Sequence, residues 1–158
     1  MKLRFLLVIL GCLILTGPVL AQNQSDIEYK GWGLRVGLAD SPDQVIGGVH
    51  IDFGEFTDRL RFRPDAELGF GDDVNTLFVT APVHYLFKVA DSNVRPYAGG
   101  GVSLGFVDPD RGDSDFEIGF KATGGAEWQR KNGKAFFLEL EIGLGDVHDV
   151  QLVIGWAF

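Results

Sequence analysis

Apolar residues recur at every second position along most of this chain, the period of a β-strand whose two faces meet different surroundings. Eight such segments can be traced. Trp32, Leu34, Val36 and Leu38 share one face of the first, and Val45, Gly47, Val49, Ile51 and Phe53 one face of the second. The third carries Leu60, Phe62, Pro64, Ala66, Leu68 and Phe70, and the fourth Leu77, Val79, Ala81, Val83, Tyr85 and Phe87. Ala98, Gly100, Val102, Leu104 and Phe106 mark the fifth; Phe116, Ile118, Phe120, Ala122, Gly124, Ala126 and Trp128 mark the sixth. Phe136, Leu138, Leu140, Ile142 and Leu144 form the seventh, and Val150, Leu152, Ile154, Trp156 and Phe158 the eighth. Most segments run about nine to eleven residues, the length a tilted strand needs to cross a bilayer. Pro64 and Pro82 fall inside the third and fourth, so bulges or nearer strand ends are expected there.

The opposite faces are polar or small. They hold Arg35, His50, Asp52, Arg61, Arg63, Asp65, Glu67, Glu117, Lys121, Glu127, Glu139 and Glu141, interleaved with many of the 22 glycines. Alternation alone does not say which face points outward. A soluble lipocalin-like barrel puts the apolar set inside; a membrane barrel inverts this. The glycines decide for the membrane, because the crowded inside of an eight-stranded barrel needs small residues and a solvated outer face does not. Aromatic residues agree: Trp32, Phe53, Phe62, Tyr85, Phe87, Trp128, Phe136, Trp156 and Phe158 would make one interfacial girdle, with Phe70, Phe106 and Phe116 as a thinner second one. Inside, Arg35, Arg61, Arg63 and Lys121 can pair with Asp65, Glu67, Glu117, Glu139 and Glu141. Buried charges persist only when paired, so a polar plug with no wide pore is expected.

The amino terminus changes the picture of where the chain goes. Lys2 and Arg4 precede an apolar run from Phe5 to Leu15, and Ala21 offers a small residue at a cleavage site, the pattern of a signal peptide over residues 1–21. A cut before Cys12, at a lipoprotein-like Leu-Gly-Cys, is the less favoured alternative, since the apolar run continues past it. Cleavage after Ala21 leaves no cysteine and hence no disulfide. It also moves the formal charge from −8 to −10, because residues 1–21 carry two positive charges and no negative ones. Such acidity argues against nucleic acid as a partner. Residues 22–30 are then a short periplasmic segment and 31–158 the barrel domain.

With eight alternating strands, Arg95-Pro-Tyr-Ala-Gly-Gly-Gly-Val-Ser-Leu-Gly105 in the fifth, and the terminal aromatic strand, the chain resembles the OmpA/OmpX-like outer-membrane β-barrel family. The resemblance implies an all-β, eight-stranded antiparallel up-and-down transmembrane barrel in a Gram-negative envelope. It also implies that Val150, Leu152, Ile154, Trp156 and Phe158 are read as an assembly signal by the barrel assembly machinery, after escort by periplasmic chaperones. Outer-membrane lipids and lipopolysaccharide are the other implied partners, and a monomer is expected. With both termini periplasmic, turns fall near residues 54–58, 90–93 and 130–134, and short Asp-rich outer loops near 40–43, 71–75, 107–114 and 145–149.

Two other function classes compete with a structural, envelope-integrity role: a small-ligand binding or transport barrel, and a lipid A-modifying enzyme. A deacylase needs a serine activated by a histidine with an acidic orienter. The strand His-x-Ser of such enzymes is absent, Ser103 is the strand serine, and no catalytic residue is assigned. His50 and His84 are expected to hydrogen-bond in the lumen, and His148 to be a solvated loop residue. The carboxylates of residues 108–115 lack a calcium-loop pattern and read as a solvated acidic loop, with divalent bridging to lipopolysaccharide as a minor role. Arg111-Gly-Asp113 is a chance match to an integrin-binding tripeptide. No metal or cofactor is expected.

Overall fold

The computed structural model describes residues 28–110, 112–130, 133–145 and 147–158. The expected signal peptide, most of the segment 22–30 and Arg111 of the Arg-Gly-Asp match lie outside them. Ten strands follow in order: β1 (Gly31–Asp40), β2 (Gln44–Asp52), β3 (Glu55–Thr57), β4 (Leu60–Phe62), β5 (Asp65–Phe70), β6 (Val74–Leu86), β7 (Val94–Pro109), β8 (Asp115–Gln129), β9 (Ala135–Gly145) and β10 (Val150–Ala157). They make eight staves, because β2 runs on into β3 and β4 into β5. Phe53 N–H donates to the Phe62 carbonyl at 3.1 Å, and Phe62 N–H to that of Gly54 at 3.2 Å, across this extended hairpin. Each stave pairs antiparallel with its sequence neighbours. β1 and β10 close the ring in a register from Gly33–Ala157 to Asp40–Val150. The result is the expected eight-stranded up-and-down barrel.

The third stave departs from the continuous strand expected over Leu60–Phe70. Its ladder with β6 stops at Phe62–Val83 and resumes at Asp65–Thr80. Arg63 and Pro64 therefore lie opposite Ala81 and Pro82, so both prolines, which lack an N–H, fall in one gap of the ladder. Their carbonyls still accept, from Ile51 N–H to Pro64 at 2.9 Å and from Arg63 N–H to Pro82 at 3.4 Å. Several connections are shorter than the sequence suggested, whereas the one between β6 and β7, residues 87–93, is longer. The ladder reaches Thr57, leaving Asp58 and Arg59 as the turn, with Arg59 in the left-handed region at φ 65°. At the other end β6 already starts at Val74 and β7 reaches Pro109.

Burial settles which face is which. Among the described residues eighteen buried side chains are polar or charged and only eight apolar, while 27 large apolar side chains are exposed. Leu38, Val45, Val102, Ile118, Leu140 and Leu152 all look outward. No soluble barrel keeps a surface of this kind in water; it is a lipid-facing surface. At the end where β1 starts and β10 finishes, the terminal end of the barrel, ring contacts thread the girdle together: Trp32 to Phe158 at 5.2 Å, Trp156 to Phe136 and Phe136 to Trp128 at 5.7 Å, Phe53 to Phe62 at 5.8 Å, and Tyr85 to Phe87 at 5.1 Å. At the far end Phe106 meets Phe116 at 5.1 Å, with Phe70 exposed on the same rim.

Candidate functional site

A dense cluster of charged side chains points inward. Arg35 on β1 is the hub: its guanidinium lies 3.0 Å from Asp65, 2.9 Å from Glu67 and 3.2 Å from Glu139, and also contacts Glu141. Lys121 on β8 bridges Glu67 at 2.7 Å and Glu141 at 3.3 Å. Arg63 pairs with Glu139 and lies 3.9 Å from Glu127. The Tyr97 hydroxyl donates to Glu139 at 2.7 Å and accepts from Arg63 at 3.2 Å. Parity explains the gathering, because each of these residues occupies an inward position of its strand, Arg63 excepted, which lies in the gap between β4 and β5.

The expected charge network is thus largely assembled. Arg35, Arg61, Arg63, Asp65, Glu67, Lys121, Glu139 and Glu141 are all buried, whereas Glu117 is half-buried, four positions along β8 from Lys121 toward the far mouth. Glu127 and Tyr97 also belong to it. Tyr97 shares its parity with Gly99, Gly101 and Ser103, which is the signal that could have placed it inside. His50 and His84 are buried, yet their ring nitrogens meet no hydrogen-bond partner among the described residues. In place of the expected hydrogen bonding they pack ring to ring, His50 on Phe137 and His84 on Tyr97, each at 5.2 Å. Gly33 opposite leaves the space that His50 fills, since a Cβ there would lie 2.3 Å from its Cε1.

His148 is not the solvated loop residue that the sequence suggested. The segment after β9 turns into the barrel and buries Val147 and His148. His148 Nε2 lies 2.6 Å from Gln44 Oε1, and Gln151 Nε2 approaches its Nδ1 at 3.3 Å. Gln44 is itself held by the Thr76 hydroxyl at 2.8 Å and the Val74 carbonyl at 2.9 Å. The His148 ring stands edge-on to Phe78 at 5.2 Å. Burial, reinforced by the nearby Lys121 ammonium, depresses the His148 pKa to about 4. The turn can fold this tightly because Gly143 lacks a Cβ, which would lie 2.1 Å from the His148 carbonyl oxygen. This cap stands at the far mouth.

The mouth at the terminal end is open and differently charged. A vestibule of about 230 Å³ is bounded by Arg61, Arg63, Arg95, Arg130, Lys30 and Lys134, with Asp52 and Glu127 the carboxylates among the described lining residues. Glu127 takes Arg61 and Arg95, both at 2.6 Å. Asp52 accepts from Gly54 N–H at 2.7 Å and stands 3.7 Å from Arg61. Among the described residues no group of three potential ligands is placed to hold a metal ion.

No family model and no curated protein matches this chain. Solved structures do. Neisserial surface protein A superposes with a TM-score of 0.63 at 18% identity, over 80% of this chain and 92% of that one. The N-terminal β-barrel domain of Pseudomonas aeruginosa OprF gives 0.64 at 12%, over 83% and 98%. The outer membrane enzyme PagL gives 0.51 at 15%, over 80% and 97%. At such identities the likeness is one of fold: a small outer-membrane β-barrel.

Proposed function

We propose that this chain, an eight-stranded barrel of the outer-membrane kind, resides in the outer membrane as a structural, envelope-integrity barrel that passes neither ions nor solutes. The observation that carries the reading is the filled lumen. Arg35, Lys121 and their carboxylates occupy its middle, and the His148 cap occupies its far mouth. An eight-stranded barrel leaves room for side chains and little else. Lipids and lipopolysaccharide lie against the apolar belt. Export through a signal peptide at residues 1–21, escort by periplasmic chaperones, and insertion by the barrel assembly machinery acting on the strand that carries Val150, Leu152, Ile154, Trp156 and Phe158 complete the route. The termini and the vestibule then face the periplasm and the Asp-rich loops the outside, with the monomer as the working unit and no nucleic acid involved.

PagL shows that this fold can carry catalysis. A non-catalytic role is supported here by the fate of the obvious nucleophile and bases. Ser103 lies against the Thr80 hydroxyl at 3.0 Å, and His148 is held between Gln44 and Gln151. A nucleophile must sit within hydrogen-bond reach of its base. Planar-bilayer recording on the refolded chain tests the reading: no steady single-channel current is expected, and large, stable openings would overturn it.

A further inference from the structure

The lumen is not polar from mouth to mouth. Beneath the far-mouth cap, its wall turns apolar on each strand that supplies the cap. Two residues on from Gln44, Thr76 and Gln151, at the next inward positions, stand Ile46, Phe78 and Val153, each no more than 2% exposed. Val147, the residue before His148, is buried as well. Glycines make the room. Gly37 pairs with both Ile46 and Val153, and Gly105 pairs with Phe78. A Cβ on Gly105 would lie 2.2 Å from the Phe78 ring, and one on Gly119 2.6 Å from Val147 Cγ1. Phe78 meets the polar groups on both sides: Lys121 Nζ lies 5.8 Å from its ring centroid, and the His148 ring 5.2 Å. Among the described residues no side-chain hydrogen bond or ion pair joins the Arg35–Lys121 cluster to the cap of Gln44, Thr76, His148 and Gln151.

A proton crosses a protein along a chain of hydrogen bonds, made by side chains or by water. Charged side chains are themselves links in such a chain. An enclosed apolar layer is not: buried water needs polar partners, and hydrophobic constrictions close pores by dewetting. We propose that the tier of Ile46, Phe78, Val147 and Val153 is the barrel's seal against protons and water, and that the Arg35–Lys121 cluster below it is not. That assignment rests on the non-conducting reading above and names the residues that impose it. The cluster then holds the staves together, while the tier sets what cannot pass.

The test is proton entry into pyranine-loaded phosphatidylcholine vesicles carrying the refolded chain, after an external acid step with potassium and valinomycin present to cancel charge movement. The parent should acidify the interior no faster than protein-free vesicles. Phe78→Ser should acidify it severalfold faster. Lys121→Met, which breaks the cluster and leaves the tier whole, should stay at the parent's rate. Val153→Thr adds a hydroxyl to the tier with little change of shape; it should also leak, and it answers the question if Phe78→Ser does not refold. A shift in gel mobility on boiling shows that each variant assayed is a closed barrel. A parent that leaks protons, a refolded Phe78→Ser or Val153→Thr as tight as the parent, or a Lys121→Met that leaks as they do, would overturn the tier alone. Steady ionic current through the parent in planar bilayers would defeat the non-conducting reading, and the tier with it.

Discussion

Replacing Arg35 by Met is the sharpest probe of what holds the lumen together. Contacts of 3.0, 2.9 and 3.2 Å to Asp65, Glu67 and Glu139 are each worth about 5 kcal/mol of Coulomb attraction at an effective dielectric of about 20. Burying each ion costs several kcal/mol in return, so the net value of the cluster is far below the sum. Removing one partner is a different matter. Four buried cations, Arg35, Arg61, Arg63 and Lys121, face five buried carboxylates. Without Arg35 the carboxylates it served retain only Lys121 and Arg63. Orphaning buried charge in this way costs about 3–5 kcal/mol. The assay is equilibrium urea unfolding in lipid vesicles, followed by the fluorescence of Trp32, Trp128 and Trp156, with the midpoint compared at constant m. The double variant R35M/E141Q withdraws one carboxylate with the cation and should recover part of the loss. An R35M barrel within about 1 kcal/mol of the parent, below the loss expected for a broken buried pair, would refute the reasoning.

Two further outcomes follow from the packing. Gly99→Ala should destabilise the barrel by about 1–3 kcal/mol, because its Cβ would lie 2.0 Å from the Val83 carbonyl oxygen, where the backbone cannot give way; Gly124→Ala, with nothing within 4 Å, should be neutral in the same unfolding measurement. For His148, burial holds the folded pKa near 4 against an ordinary 6.5. The unfolded chain therefore binds the extra proton first, so the contribution is fully present above pH 6.5 and is lost as pH falls toward 4, by about 3 kcal/mol. Unfolding free energies of the parent and His148→Gln, measured from pH 8 to 4, should differ in slope within that window; parallel curves would contradict the buried cap.

The eight staves and their inward and outward faces were legible because alternation is a direct print of the pleat: lipid on one side and a crowded lumen on the other leave no position neutral. Arg35 and its carboxylates could be named for the same reason. Features that depend on three dimensions were not. Nothing in the one-dimensional spacing of Pro64 and Pro82 says that they face the same gap, since that is a matter of register between two strands. The cap formed by Val147 and His148 depends on Gly143 and on Gln44, a residue about a hundred positions away. Tyr97 escapes the apolar pattern, whose first outward residue in the fifth strand is Ala98, although its parity with Gly99 marks it as inward.

The shared gap of Pro64 and Pro82 has a mechanical consequence. A closed barrel resists opening because every stave is laced to both neighbours along its length, and the β1–β10 seam is laced without interruption from Gly33–Ala157 to Asp40–Val150. Between the third and fourth staves the lacing is cut at mid-height, and Arg63 N–H spans the cut at 3.4 Å. The wall is therefore most compliant there, away from the seam that joins the first and last strands. Local breathing should begin along this line, so that the amide of Arg63 exchanges with solvent deuterium sooner than that of Arg35. The barrel carries its own preferred tear line, set by two imino acids on adjacent staves.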